Sequence, residues 1–187
     1  MYSLPDVITH NYDPDRGAFR NICNLPPWEA ETILSEIRNT TQSSPKENYL
    51  RRRLRTERWL YAERTRKCGK PYLKHPIYFF LGDFADGRDP ARPESLVLPL
   101  ASLPPEVLTF TYPDSMASLP LATEAMHSDD RKPYHGQVFT LAEIKAVVAQ
   151  FGVPSSHGLT AAPDVYDRFI EVQVWDDRPL RQFLVDR

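Results

Sequence analysis

Proline constrains this chain more than any other residue type: 18 of its 187 positions are proline, against only 7 glycines. Each proline fixes φ at about −65° and removes an amide donor, so helices and central strands are confined to the stretches between prolines. Short elements joined by stiff, non-helical connections are the expectation. The shortage of glycine also removes cofactor readings, because neither a G-x-G-x-x-G fingerprint nor a G-x-x-x-x-G-K-[ST] loop occurs. Classical dinucleotide sheets and P-loop NTPases are excluded on that ground.

The length suits one domain, residues 1–187, and the 41% hydrophobic and 26% charged content is that of a chain able to bury a core. No apolar run approaches the roughly 20 residues needed to cross a bilayer. Cys23 and Cys68 form no C-x-x-C pair, and the first residues lack a signal-peptide pattern. The expectation is a cytoplasmic, disulfide-free protein without a membrane partner. Its net charge of −2 hides an asymmetry: between Arg51 and Lys74 ten Lys or Arg face only Glu57 and Glu63. That segment carries +8, leaving −10 for the rest. A concentrated basic segment is a candidate phosphate-facing surface, although a solvated helix face is the plainer explanation of a charge run.

Local patterns place the elements. Val7 to His10 reads as an opening strand, followed by a turn-rich stretch to Gly17. Pro26-Pro27 introduces a helix with Ala30, Ile33, Leu34 and Ile37 on one stripe. A second helix is predicted from Glu47 to Lys67, ending near Gly69, with Leu50, Leu54 and Tyr61 on one side and the arginines around the rest. Ile77 to Leu81, Ser95 to Leu98 and Val107 to Thr111 read as strands, and Leu119 to Gly136 as a long loop. Thr140 with Glu143 forms a capping box for a third helix that Gly152 terminates. Phe169 to Trp175 alternates, with Ile170, Val172 and Val174 on one face and Glu171 and Gln173 on the other. Glu171 therefore projects from mid-strand, toward a cleft or, on an edge strand, toward water.

The usual catalytic constellations are thin. The five histidines and two cysteines show no H-x3-H, C-x2-C or H-E-x-x-H spacing, so no metal is expected. Ser115 lacks the flanking glycines of a nucleophile elbow. Trp28, Trp59 and Trp175 read as structural aromatics.

Ile8-Thr9-His10, Tyr49 to Arg53, Pro76 to Phe80, Leu108 to Ser118 and Phe169 to Val174 form a chain-ordered set of segments that resembles the DarT-like DNA ADP-ribosyltransferases. Ile8-Thr9-His10, then Asn24-Leu25 and the helix through Ile33-Leu34, resembles that family's I-T-H-x-x-N-L-x-x-I-L opening. Tyr49 to Arg53 is similar to its basic helix-borne stretch, and Pro76 to Phe80 to its V-P-F-Y-F strand. Leu108 to Ser118, with Thr123, is similar to F-[ST]-D-G-N-A-A-S…T, and Phe169 to Val174 to [QR]-A-E-[FL]-L-V. The sequence departs from the pattern where Asn11 to Cys23 separates His10 from Asn24, where Leu81 to Phe84 replaces R-S-P-M-L-Y, and where Ser115-Met116 replaces G-N.

The resemblance implies an α+β domain of the ADP-ribosyltransferase-like kind, with a split, mixed or antiparallel sheet flanked by helices. It implies NAD as substrate and a nucleic-acid base, DNA foremost, or another acceptor as the target. Glu171 and Arg52 would be catalytic; His10, Thr9, Asn24, Arg51, Arg53 and Tyr78 would bind NAD. Single-stranded nucleic acid and a neutralising partner protein are the implied partners. The alternative is a catalytically silent nucleic-acid- or protein-binding module on the same fold. The transferase expectation needs His10, Tyr78 and Glu171 to line one cleft, and His10 and Glu171 on opposite faces of the molecule would end it.

Overall fold

Aliphatic residues at every second position from Ile170 to Val174 demand a buried sheet face, and that face organises the computed structural model, which describes residues 2–40, 47–85, 89–123, 131–154 and 167–184. In chain order the elements are β1 (Val7–Tyr12), α1 (Pro27–Thr40), α2 (Tyr49–Cys68), β2 (Ile77–Leu81), β3 (Glu94–Pro99) and β4 (Leu108–Thr111). They continue with α3 (Ser115–Thr123), β5 (Val138–Phe139), α4 (Leu141–Phe151) and β6 (Glu171–Val174). A 3-10 turn at Ile22–Asn24 precedes α1, and another 3-10 segment, Arg178–Leu184, follows β6.

The architecture is α+β. Six strands form one antiparallel sheet in the order β3-β1-β2-β6-β4-β5, which puts the alternating strand β6 near its centre. β1 and β2 are joined by only two residue pairs, Ile8 with Leu81 and Thr9 with Phe80. Beyond them the His10 side chain takes the Tyr78 carbonyl, which a backbone amide would otherwise use, and the seam opens.

Directly paired residues share a sheet face, so the register assigns the two faces. Ile8, Leu98, Phe79, Val172, Phe110 and Phe139 lie on one side and bury against Ile144 and Val148 of α4 and against Leu180. Thr9, Tyr78, Phe80, Glu171, Gln173, Thr109 and Thr111 lie on the other. There α2 packs through Leu60 against Val138 and Trp175. α1 joins the N-terminal end of α2 through Ala30, Leu34 and Leu50.

Most element limits agree with the sequence patterns, including the Thr140–Glu143 capping box and the left-handed Gly69 after α2. Two expectations need correction. The segment read as a loop from Leu119 is helical as far as Thr123, because Asp114 caps α3 by accepting from the amides of Met116 and Ala117, and the chain tolerates Pro120 within it. Residues 124–130 of that segment lie outside the described residues. Trp28 is 72% exposed on α1, whereas Trp175 is buried and donates to Thr109.

Candidate functional site

Helical spacing along α2 selects which basic residues turn inward. Leu50, Arg53, Glu57, Leu60 and Arg64 recur at helical intervals and are buried, while Arg51, Arg52, Arg55 and Arg58 are exposed. The inward stripe lies over the polar sheet face, so one arginine of the triplet enters the interior. It is Arg53, not Arg52.

The Arg53 guanidinium stands 3.7 Å above the Tyr78 ring and meets three oxygen groups. Its Nε is 3.6 Å from Glu57 Oε1, and one terminal nitrogen is 3.2 Å from Ser115 Oγ and 3.9 Å from Glu171 Oε2. Glu171 is held through its other oxygen, which accepts from Gln173 Nε2 at 3.0 Å and, more weakly, from the Ser115 amide at the start of α3. Gln173 is fixed in turn by the hydroxyls of Thr109 and Thr111 on the neighbouring strand. Glu57 accepts from Asn21 Nδ2 and from the Tyr78 hydroxyl, both at 2.9 Å, and its second oxygen meets His75 Nδ1.

One buried cation thus serves two buried carboxylates, and their surroundings drive the two apart. Burial raises the Glu171 carboxyl above its ordinary range and the charge of Asp114 adds to that, against the pull of Arg53. Burial pushes Glu57 upward too, yet the His75 hydrogen bond, Arg53 and Asn21 together bring it below the usual carboxylate range. Glu57 therefore stays ionised while Glu171 is poised to take a proton, a division characteristic of acid–base sites. Burial also raises the Tyr78 hydroxyl well above its ordinary value, so it remains a neutral donor.

Beside Glu171 on the same face, Phe80 meets Phe84 in a tilted contact and Phe169 edge-on, at ring-centroid distances of 5.2 and 4.7 Å, and all three rings are half-buried. Thr9 fastens this corner: its hydroxyl donates to the Gly82 carbonyl and accepts from the Phe84 amide.

Several expected site residues lie elsewhere. His10 is on the opposite, apolar face of the sheet, packed against the Tyr12, Phe19 and Phe79 rings. Its Nδ1 donates to the Tyr78 carbonyl and its Nε2 accepts from the Phe19 amide, so neither nitrogen is left for a ligand. The single cleft shared by His10 and Glu171 is therefore not formed. Asn24 is exposed at the end of its 3-10 turn, and the buried asparagine is Asn21. Arg51 is exposed, and Arg52 lines a shallow groove between α2 and α3 with Arg55, Met116 and Pro120.

Asn21, Glu57, His75 and Gln173 belong to the network without having been singled out from the sequence. Glu57 had a detectable signal in its i, i+4 relation to Arg53; Gln173 had one in the polar positions of β6. Asn21 and His75 had none, since only tertiary contacts bring them in. No protein-family model, curated protein or solved structure matches this chain.

Proposed function

We propose that this chain is an ADP-ribosyltransferase using NAD, with Glu171 as its reacting carboxylate. The observation that carries the proposal is the single guanidinium shared by two buried carboxylates, which leaves Glu171 with the higher proton affinity. In the reaction the bond between the nicotinamide nitrogen and the ribose carbon breaks, and nicotinamide leaves with the bonding pair. Positive charge then grows on the ribose ring, where a fixed carboxylate stabilises it. The acceptor's nucleophilic atom bonds to that carbon, and its proton passes to Glu171. Arg53 is a positioning residue that holds Glu171. The half-buried rings of Phe80, Phe84 and Phe169 offer flat faces for a planar group such as nicotinamide. Exposed Arg51, Arg52, Arg55 and Arg58 suit a phosphate-bearing acceptor.

His10 and Glu171 lie on opposite sheet faces, which ends the transferase reading as the family resemblance gave it, with His10 as a nucleotide ligand; the proposal keeps only the Glu171 centre. The same placement favours a second reading: a non-catalytic nucleic-acid-binding module in which the network is structural. Glu171 is only 6% exposed, and the arginine row needs no chemistry in order to bind phosphates.

Labelled NAD incubated with single-stranded DNA, RNA and protein acceptors separates the two. Transfer by the wild type, slowed about 10²–10³-fold in Glu171→Gln with NAD affinity and Tm little changed, supports the transferase. Absence of both label transfer and nicotinamide release refutes it. The binding module instead expects salt-sensitive retention of single-stranded nucleic acid that weakens when Arg51 and Arg52 become Ala.

A further inference from the structure

Three side chains that no short motif connects meet at the outer end of the Glu57 network. Cys23 comes from the 3-10 turn before α1, Glu57 from the middle of α2, and His75 from the segment leading into β2. Their sulfur, carboxylate oxygen and ring nitrogen all lie within 4.8 Å of one another. The two oxygens of Glu57 have separate duties. Oε1 is held by Asn21 and Tyr78, while Oε2 faces His75 Nδ1. Asn21 also accepts from the Cys23 amide at 2.8 Å, so one side chain braces both the carboxylate and the turn that carries the thiol. Glu57 is buried, whereas Cys23 and His75 are half-buried, which gives an ion a route from solvent.

We propose that Cys23 Sγ, Glu57 Oε2 and His75 Nδ1 bind a zinc-class divalent cation, with water as the fourth ligand. Thiolate and imidazole donors select zinc-like ions over magnesium or calcium. Tetrahedral coordination at ordinary Zn–S, Zn–N and Zn–O lengths places ligand atoms roughly 3.5 Å apart, so the widest separation here closes by at most about 1.3 Å, while Glu57 Oε2 and His75 Nδ1, which share a hydrogen bond, part to admit the ion. Outer partners that orient a ligating carboxylate, as Asn21 and Tyr78 do, are a regular part of such sites.

Charge favours the same assignment. Arg53 is shared between Glu57 and Glu171, so it neutralises neither carboxylate alone. A dication joined by the Cys23 thiolate and the Glu57 carboxylate is neutral, and Arg53 then balances Glu171. On binding, the thiol proton leaves to solvent and the proton on His75 Nδ1 moves to Nε2. The proposal is independent of the transferase reading, and its test uses no NAD.

Titration of the chelator-stripped full chain with cobalt(II) tests the site. One equivalent should produce tetrahedral visible bands and a near-ultraviolet thiolate-to-cobalt band, both removed by zinc. Cys68→Ser should retain that spectrum, Cys23→Ser should lose the near-ultraviolet band, and His75→Ala should bind at least about tenfold more weakly. A wild type without a thiolate band at one equivalent overturns the proposal. So does a band that disappears in Cys68→Ser, a result that holds even if Cys23→Ser does not fold.

Discussion

Lowering the pH from 7 to 4 should remove stability from this protein chiefly at one imidazole. His10 is 6% exposed and surrounded by aromatic rings; Nδ1 donates at 2.8 Å to Tyr78, and Nε2 accepts at 2.9 Å from the Phe19 amide. Protonating Nε2 breaks the second bond and sets two N–H groups against each other in a site that excludes water. Burial is the main reason that the ring drops from 6.5 to about 4; the Tyr78 carbonyl opposes the shift and the charge of Arg92 adds to it. Between those values the unfolded chain binds more protons than the folded one. The contribution of neutral His10 is therefore complete above pH 6.5 and lost as the pH falls toward 4. At about 1.36 kcal/mol per unit, the interval amounts to about 3 kcal/mol. Urea unfolding at pH 4 to 8, for the wild type and for His10→Gln, isolates this contribution from that of the carboxylates, and NMR follows the ring directly. The wild type should lose about 3 kcal/mol more than the variant. A ring that titrates near 6.5, or two parallel stability curves, would refute the reasoning and return His10 to the list of groups able to meet a ligand.

Three further substitutions probe the interior, the exposed side of α2 and a helix end. Arg53→Met strands the Glu57 and Glu171 carboxylates and should cost about 3–5 kcal/mol in urea unfolding, while Arg52→Ala stays within about 0.5 kcal/mol; equal effects would contradict the inward assignment of Arg53. Thr140→Ala removes the hydroxyl that accepts from the Glu143 amide and should cost about 1 kcal/mol, and an unchanged urea midpoint would show the capping box to be energetically idle.

Local sequence determined those features whose physical cause is local. The Thr140–Glu143 box begins α4, Gly69 ends α2, and the alternation through Val174 makes β6 a strand with one aliphatic face. A single helical turn also contains the reason that Arg51, Arg52 and Arg53 cannot all point inward, but not which of them does. That choice depends on which side of α2 meets the sheet. Asp114 caps the start of α3, a role absent from the loop reading of Leu119 onward, because Pro120 reads as a breaker in isolation. Asn21, Cys23, Glu57 and His75 are spread over 55 residues of chain, and no periodicity links them. Strand pairing decided the most consequential point. Thr9 pairs with Phe80, and Phe80 with Glu171, so Thr9 joins the face of the carboxylate and its neighbour His10 faces the opposite core. Side chains alternate with period two, and a slip of one residue between β1 and β2 would exchange those positions. Register between strands some 70 residues apart is set by tertiary packing, which the local pattern of either strand does not contain.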